Sequence, residues 1–398
     1  WHFEEPLKAL PQLQKSLDAG EIESFSPLVE KKQTPRFTPN DLYFDDQWHL
    51  QNTGQTNGVS GEDANVTGAW DNYTGTGVVI SVVDDGLDHA HADLSPNYSP
   101  HFSYDWCNDD DDPSPTSWNG HGTAVAGVAA AVGDNSLDVT GIAYEATIAG
   151  STLIACWAGD SVEAEALSYE SDEIDIYTNS WGPADDGQTL LGPGPLTLAA
   201  FEFDAYHGRD SLGNLLTWAA GNGLGSGDDS NYDGYANSRY TVAVTAINHN
   251  GEQSYYAEPG ANILVAAYSN GDNEGITTTD ITGSGGYDSG NVTHDFGGTS
   301  SATPLAAGII ALILEANENL TWRDVQHVLV NSARTNDASD LSWEINSAGH
   351  DISHKYGFGV VDGGAAVAVA ENWVNVDEEL NATYGPYALA LDIPDDSD

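Results

Sequence analysis

The chain has 398 residues, of which 40% are hydrophobic, and this composition supports a substantial buried core and excludes a disordered chain. Acidic residues number 62 against 10 lysines and arginines, for a formal net charge of -52. Such a surface repels phosphate, which excludes nucleic acid as a partner and disfavours anionic membranes, whereas cations and cationic peptides are attracted. The same charge would also suit a surface adapted to strong salt.

The first 36 residues differ from the rest, because they hold five of the ten basic residues and end in a polar run containing Lys31, Lys32 and Arg36. A Lys-Lys pair beside a proline-containing linker is either a processing site or a solvated linker. No uninterrupted apolar run reaches the ~18 to 20 residues of a membrane helix. The longest candidate, Leu305–Leu314, is predicted to be a buried helix.

From about residue 41, short apolar runs typical of buried strands alternate with runs typical of helices. The predicted strands are Val78–Val83, Ile174–Thr178, Leu215–Ala219 and Tyr240–Ile247. The predicted helices are Thr123–Val132 and Thr303–Ala316. Buried strands separated by helices indicate an α/β fold with a mostly parallel sheet covered on both faces, in which sites form where strands end.

Ser300 lies in a Gly-Thr-Ser sequence that opens the second predicted helix. Unpaired amides and the positive end of the helix dipole would favour negative charge on a carbonyl oxygen under attack there, although a helix-capping serine is the alternative. A nucleophilic serine needs a base and an orienting carboxylate. His121, at a tight turn before a helix, and Asp84, at the end of a strand, supply them in a known triad order.

Two further features bear on chemistry. Asn222 follows a predicted strand in an Ala-Gly-Asn-Gly sequence and can donate its side-chain amide to an oxyanion, or can simply occupy a left-handed turn. Cys107 and Cys156 either form a disulfide or remain thiols, since bridging requires Cα atoms within about 7 Å. Neither cysteine has metal-binding or CxxC spacing, so no catalytic thiol is expected.

Four segments resemble the subtilase superfamily, and more narrowly its kexin and furin group of proprotein convertases: Val82–Leu87, His121–Thr123, Ser180–Pro183 and Gly298–Ser300. The resemblance covers about residues 41–376, and it implies a subtilisin-like three-layer α/β/α fold. It also implies a catalytic set in which the orienting acid, general base, nucleophile and oxyanion donor are Asp84, His121, Ser300 and Asn222.

Convertases cleave after basic residues in acidic clefts, and the resemblance assigns matching groups here. Asp185 and Asp233 would line the pocket for the residue before the scissile bond. Contacts to upstream residues and to the substrate backbone would come from Asp85, Asn119, Glu163, Asp160, Ser180, Trp181, Gly182 and Pro183. Trp118, Ala184 and Leu191 stand where furin-like enzymes have acids, so the upstream requirement should be looser. General surface acidity would explain the same acids without a basic-specific pocket.

Calcium sites follow from the resemblance and from the oxygen ligands that Ca²⁺ requires. A first site would use the side chains of Asp41, Asp93 and Asn135 with the carbonyls of Val132, Leu137 and Val139. A second would use Asp185, Asp228 and Glu258 beneath the specificity pocket. A third would use Asp105, Asp110 and Asp112, unless that acidic run is only solvated.

The sequence therefore predicts residues 1–36 as the end of a propeptide with a processing linker, 37–376 as the catalytic domain, and 377–398 as an acidic tail or the start of a linker. The expected function is a secreted, calcium-dependent serine endopeptidase that cleaves polypeptides after Arg or Lys and is inhibited by its own propeptide, with no membrane span in this chain. The alternatives are a broad-specificity protease and an inactive calcium-binding or adhesion module on the same fold.

Overall fold

The computed structural model of the protein describes residues 13–17, 19–20, 37–380 and 382. The chain separates into two units, residues 1–36 and 37–398. In the first unit, residues 13–17 form a single helical turn. The predicted processing residues Lys31, Lys32 and Arg36 lie outside the described residues, as does most of the 377–398 segment.

A seven-stranded parallel sheet forms the centre of the second unit. Its strands are β1 (Val79–Asp84), β2 (Tyr104–Asp105), β3 (Thr147–Thr152), β4 (Ile176–Asn179), β5 (Leu215–Ala219), β6 (Thr241–Ile247) and β7 (Ile263–Tyr268). The order across the sheet is β2-β3-β1-β4-β5-β6-β7, and all neighbouring pairs are parallel. The four predicted strands are confirmed as β1, β4, β5 and β6. The order reverses beside β1, and binding crevices form at such a reversal, outside the carboxyl ends of the strands.

Helices cover both faces of the sheet. Among residues 37–380 they are α1 (His121–Ala130), α2 (Asp160–Leu167), α3 (Pro195–Ser211), α4 (Thr299–Ala316), α5 (Trp322–Ser332) and α6 (Gly363–Ala370). The backbone of α3 is non-helical at Gly208, Arg209 and Asp210.

The two cores follow from the alternation of side chains along each strand. Val82, Ile176 and Leu215 pack in the larger core with residues of α1, α4, α5 and α6. The next residue of each strand belongs to the second core, with residues of α2 and α3. Because apolar side chains point to both faces of the sheet, each strand is a nearly continuous apolar run. The sheet with helices on both faces confirms the predicted three-layer α/β/α fold.

Helix α4 is a deeply buried element of the larger core. It starts at Thr299, four residues before the predicted start, so its first turn includes Ser300. Its 18 residues are long and apolar enough to cross a membrane by length and composition, but 89% of the helix is buried inside the protein. The burial explains its composition.

Two antiparallel pairs lie outside the sheet and were not predicted. Strands β8 (Ile276–Gly283) and β9 (Gly290–Phe296) form a hairpin, and β10 (Glu344–Ile345) pairs with β11 (Asp351–Ile352). The hydroxyls of Thr278 and Thr279 on β8 donate to the carbonyls of Ala124 and Thr123 at 2.9 and 2.7 Å. These bonds hold the hairpin against the helix that begins at His121.

Cross-links and ion pairs complete the unit. Cys107 and Cys156, which the sequence left open, form a disulfide with Cα atoms 5.7 Å apart. The five basic residues after residue 36 each bond to a carboxylate or carbonyl of an acidic residue; the pairs are Arg209–Asp175, Arg239–Glu379, Arg323–Asp377, Arg334–Glu62 and Lys355–Asp340.

Candidate active site

The predicted site residues meet at one edge of the sheet. Asp84 is the last residue of β1, Ser180 follows β4 directly, and Asn222 comes three residues after the end of β5. Because these three strands are parallel neighbours, their carboxyl ends open on the same side. The topology therefore gathers residues that are far apart in the sequence.

Asp84 and His121 form a direct pair. Oδ1 of Asp84 lies 2.8 Å from Nδ1 of His121, and the Asp84 side chain is buried. The close approach of β1 to α1 requires glycine at position 122, since a Cβ there would lie 2.2 Å from the carbonyl oxygen of Gly86. The neighbouring Asp85 accepts a 2.8 Å bond from the amide of Gly122, which fixes the start of the helix.

The carboxylates set the protonation behaviour of His121. Burial alone would lower its pKa, but the charge of Asp84, the hydrogen bond to it and the charge of Asp85 together raise the pKa above its ordinary value. Burial and the Asp84 charge also raise the pKa of Asp85 to about 6. The pair can therefore hold an imidazolium ion once the ring accepts a proton.

Ser300 sits in the first turn of α4, where backbone amides lack partners within the helix. Gly298 caps the helix with a φ of +75°, a conformation that favours glycine. The Ser300 hydroxyl lies 3.3 Å from the carbonyl oxygen of Ser180, and the Ser180 hydroxyl donates to the carbonyl of Ser300 at 3.0 Å. These contacts bind the segment after β4 to the start of the helix.

Asn222 is exposed, and its side chain is held in one orientation. Its Oδ1 accepts bonds from the amide and the hydroxyl of Thr299, at 2.8 and 3.0 Å. With the oxygen engaged in this way, the NH₂ group is the donor end of the side chain, and it also interacts with the carboxylate of Asp185. The backbone amide of Asn222 donates to Asp185 at 2.8 Å, which links it to the acidic pocket described below.

One cavity of ≈ 430 Å³ unites the predicted nucleophile, base and oxyanion donor. Its lining residues are His121, Asn222, Tyr255, Tyr256, Asn270, Tyr287, Asp295, Phe296, Gly297, Gly298 and Ser300. A hydroxyl, an imidazole and an amide donor around a common space are the groups that acyl transfer requires.

A small acidic pocket adjoins this cavity. Pro183, Asp185, Gly221 and Asp233 are among its lining residues, so the two predicted specificity acids share one space. Burial raises the pKa of Asp233 to about 7, against the stabilising amide of Tyr235. A Cβ at Gly182 would lie 2.8 Å from the Asp233 carboxylate, so glycine keeps this side of the pocket open.

In the lining of the same pocket, Asp185, Asp228 and Glu258 bring their carboxylate oxygens within 4.8 Å of one another. Burial raises the pKa of Glu258 to about 8, and the charges of Asp185 and Asp228 add to the shift. Three hard oxygen donors around one point fit a calcium ion, which would relieve their mutual repulsion. This is the second predicted calcium site.

The residues of the first predicted calcium site also lie together. The carboxylate of Asp93 accepts bonds from the Asn135 side chain at 2.7 Å and from the amide of Val139 at 2.8 Å. Asp41 accepts bonds from the amides of Asp134 and Asn135. The loop from Val132 to Val139 thus wraps two carboxylates, and its carbonyls, including that of Leu137, remain predicted ligands.

The third predicted site is less well assembled. Asp105 accepts bonds from the amides of Cys107 and Asn108, and Asp112 lies 3.2 Å from the ring of His89. The Asp110 side chain accepts the amide of Asp112. Within the described part of the chain, the only group of three His, Cys, Asp or Glu ligand atoms within 4.8 Å is the cluster of Asp185, Asp228 and Glu258.

The predicted outer substrate contacts have structural partners of their own. Asp160 accepts bonds from the amides of Leu196 and Thr197 in the first turn of α3, and these bonds lower its pKa. Glu163 accepts a 2.9 Å bond from the hydroxyl of Tyr235.

Two predicted contacts close to the cavity are also anchored. Asn119 donates to the carbonyl of Asp85 at 3.2 Å, and the indole of Trp181 donates to the carbonyl of Val83 at 2.9 Å. The roles of both residues in binding a substrate remain predictions.

Sequence reasoning missed the aromatic wall of the cavity. The ring of Phe296 packs edge-on against His121, with centroids 5.5 Å apart, and Tyr287 packs edge-on against Phe296 at 5.8 Å. Phe296 lies four residues before Ser300, so its proximity could have been inferred. Tyr287 lies in a glycine-rich hairpin that carried no sequence signal.

The comparisons with known proteins agree with this geometry. A profile of the Subtilase family matches residues 75–359. A PC3-like endoprotease of Hydra vulgaris (variant B) is 43% identical over 365 residues, which are 89% of this chain and 50% of that protein. Furin of Homo sapiens is 41% identical over 358 residues, 87% of this chain and 44% of furin. The chain thus spans about half the length of these relatives.

The solved structure of a serine protease of Aeromonas sobria has a TM-score of 0.80 at 28% identity, and the match covers 89% of this chain and 72% of that one. The family match extends over most of the chain and includes the strand ends and the helix start that carry the site. The chain therefore belongs to the subtilase family, and its similarity to proprotein convertases places it in the kexin- and furin-like group.

Proposed function

We propose that the protein is a secreted, calcium-dependent serine endopeptidase that cleaves polypeptides after arginine or lysine. The observation that carries the proposal is the 2.8 Å contact of Asp84 with His121, whose imidazole lines a cavity together with Ser300 and Asn222. Its relatives support the reaction class, since a PC3-like endoprotease and a proprotein convertase of Homo sapiens are among them.

In the proposed reaction, His121 takes the proton of the Ser300 hydroxyl as the oxygen attacks the carbonyl carbon of the substrate. The oxyanion accepts hydrogen bonds from the Asn222 side chain and the Ser300 amide. His121 then gives its proton to the leaving amine, and the acyl-enzyme forms. Water, deprotonated by His121, releases the acid product. Asp84 keeps the ring oriented and stabilises the imidazolium ion throughout.

The acidic pocket supports the preference for a basic residue before the scissile bond. Asp185 and Asp233 line it together, and an arginine or lysine entering it would replace their repulsion with charge-assisted bonds. The loss of a buried charge partner is costly, so an uncharged side chain in this pocket would leave the carboxylates unpaired. The edge Ser180–Pro183 would pair with the extended substrate backbone.

Calcium would have a structural role in this proposal. The ion would be held by Asp185, Asp228 and Glu258, and a second by Asp41, Asp93 and Asn135 with loop carbonyls, with the Asp105–Asp112 loop as a third candidate. A bound calcium ion supplies positive charge that holds acidic loops in place. Secretion, inhibition by the propeptide and maturation at Lys31, Lys32 or Arg36 belong to the same proposal.

The test is hydrolysis of a peptide that ends in Lys-Arg before a reporter amine, in the presence of calcium. We expect cleavage by the native protein, loss of cleavage in Ser300→Ala, and little cleavage when leucine replaces arginine. Asp233→Asn should lower kcat/KM for the arginine substrate roughly 10- to 100-fold, the value of one hydrogen bond to a charged group.

The alternatives predict different results. Equal cleavage after arginine and leucine would indicate a broad-specificity protease whose pocket acids are only surface charge. No cleavage together with no labelling of Ser300 by a fluorophosphonate would indicate an inactive calcium-binding or adhesion module and would overturn the proposal.

A further inference from the structure

We propose that Tyr287 and Phe296 form a subsite for an aromatic side chain that follows the scissile bond. The inference rests on the proposed function and deepens it, because it assigns a preference on the leaving-group side of the same site. The proposed preference concerns a residue after the scissile bond, whereas the acidic pocket binds the residue before it. The occupant is the substrate segment that departs with the amine.

The position of the subsite follows from Asn222. The backbone amide of this residue donates to Asp185 in the acidic pocket, while its side chain lines the cavity with Ser300 and His121. The acidic pocket and the cavity therefore both adjoin Asn222. In the proposed binding mode, a substrate whose basic side chain fills the acidic pocket has its scissile bond at Ser300, and the segment after that bond enters the cavity.

The proposed role of His121 also places the leaving group in the cavity. The leaving amine receives its proton from this imidazole, so the amine must be within hydrogen-bond reach of the ring. The ring lines the cavity and packs edge-on against Phe296. The first residues of the leaving peptide are therefore brought against this aromatic wall.

The wall has one buried and one accessible ring. Phe296 is 2% exposed and supports His121 from the protein side. Tyr287, whose ring centroid lies 5.8 Å from that of Phe296, is 51% exposed and lines the same cavity. An exposed ring face beside a catalytic cavity can stack with an aromatic side chain of a ligand, which it would cover from water.

Asp280 holds Tyr287 in this position. The side chain of Asp280 is fully buried, and its Oδ2 accepts bonds from the amides of Tyr287 and Asp288, at 2.8 and 2.7 Å. Gly286 has a φ of +75°, and a Cβ there would lie 1.8 Å from the Asp280 carboxylate. The turn of the hairpin is therefore built around this carboxylate rather than left free.

The hairpin tip is also tied to the turn before His121. The amide of Gly286 donates to the carbonyl of Ser117 at 3.1 Å, and a Cβ at Gly120 would lie 3.0 Å from the Cα of Gly286. Tyr287 and His121 thus belong to two segments fixed to each other. A ring that is positioned in advance costs little entropy when a ligand binds.

The test compares substrates with and without residues after the scissile bond. Internally quenched peptides would carry Lys-Arg before the bond and either phenylalanine or serine at the first or second position after it. A second substrate would end in Lys-Arg and a small reporter amine. We expect the native protein to prefer phenylalanine, and Tyr287→Ala to reduce that preference about 2- to 10-fold while hydrolysing the reporter amine as before.

Tyr287→Phe keeps the ring and should retain the preference, and Leu341→Ala, at a position 98% exposed, is the surface control. Two results in Tyr287→Ala would contradict the proposed subsite: an unchanged preference for phenylalanine, or an equal loss of hydrolysis with the peptides and with the reporter amine. Cleavage of the reporter amine by the native protein separates this outcome from a failure of the proposed function, in which neither substrate is cut.

Discussion

Asp84 and His121 meet at 2.8 Å although 37 positions separate them, because the end of β1 and the start of α1 face the same crevice. The carboxylate is buried and engages Nδ1 of the ring, so Nε2 is the nitrogen that can serve the proposed base role. In the proposed reaction, the pair therefore decides which ring nitrogen acts as the base.

The substitution Asp84→Asn should lower kcat about 10⁴-fold for the Lys-Arg reporter substrate, because an amide favours the wrong tautomer of His121. The measurement is steady-state kinetics with a circular dichroism spectrum to show that the fold is kept. Asp71→Asn, at an exposed position, is the matched control and should behave like the native protein. A loss of less than tenfold would contradict the role given to Asp84.

The pH profile should report the raised pKa of His121. The base acts only when neutral, so kcat/KM should fall as the pH drops through that pKa, with a midpoint above the ordinary value of about 6.5. Asp84→Asn removes one of the two charges that raise the pKa, so its midpoint should move down. A midpoint below 6 in the native protein would argue against the carboxylate's influence.

The substitution Asn222→Ala should lower kcat by about 10²- to 10³-fold with little change in KM; this range comes from subtilisin, a member of the same family. The reason is the loss of one oxyanion donor, which acts in the transition state and little in the ground state. Full activity in this variant would show that the side chain merely holds Thr299.

Calcium should raise the melting temperature, and chelation should lower it. An ion at 100 times its Kd adds about 2.7 kcal/mol to the free energy of unfolding. Glu258→Gln removes one buried carboxylate of the three-acid cluster and should reduce the calcium-dependent part of the shift. A shift identical to that of the native protein would place the stabilising ions elsewhere.

Replacing Cys107 and Cys156 together by serine should lower the free energy of unfolding by about 2–4 kcal/mol. The bridge joins residues 49 positions apart, so the unfolded chain gains considerable freedom without it. Chemical denaturation under calcium-saturated conditions measures the effect. Reductant should lower the stability of the native protein by a similar amount and leave the double variant unchanged.

Much of the sheet could be predicted because its strands are buried on both faces and therefore appear as apolar runs. The apolar pattern predicts helix α4 from Thr303 onward, whereas its first turn, which contains Thr299, Ser300 and Ser301, is polar and extends the helix four residues before that start. Hairpin β8–β9 could not be predicted, since β8 is rich in threonine and two of its buried threonines are accommodated by hydrogen bonds to carbonyls of α1. Pattern alone does not reveal such pairings.

The site residues also divide into those that the local sequence reveals and those that it does not. Asp84, His121, Asn222 and Ser300 lie in short motifs next to strand ends or a helix start, and each position is set by local sequence. Asp160 and Asp112 show the opposite case. Their bonds to α3 and to His89 depend on segments distant in the chain, so the sequence could not distinguish a ligand from a helix cap or an ion-pair partner.

The pairing of the cations in the second unit has a kinetic consequence. Since Arg209, Arg239, Arg323, Arg334 and Lys355 each already bond to an acidic residue, most of the acidic charge has no internal counterpart. Diffusing polypeptides rich in lysine or arginine would be guided from solution before any atom touches the crevice, with association rates that decline steeply as salt shortens the Debye length. In the proposed function, selection of basic sequences would thus begin during the approach.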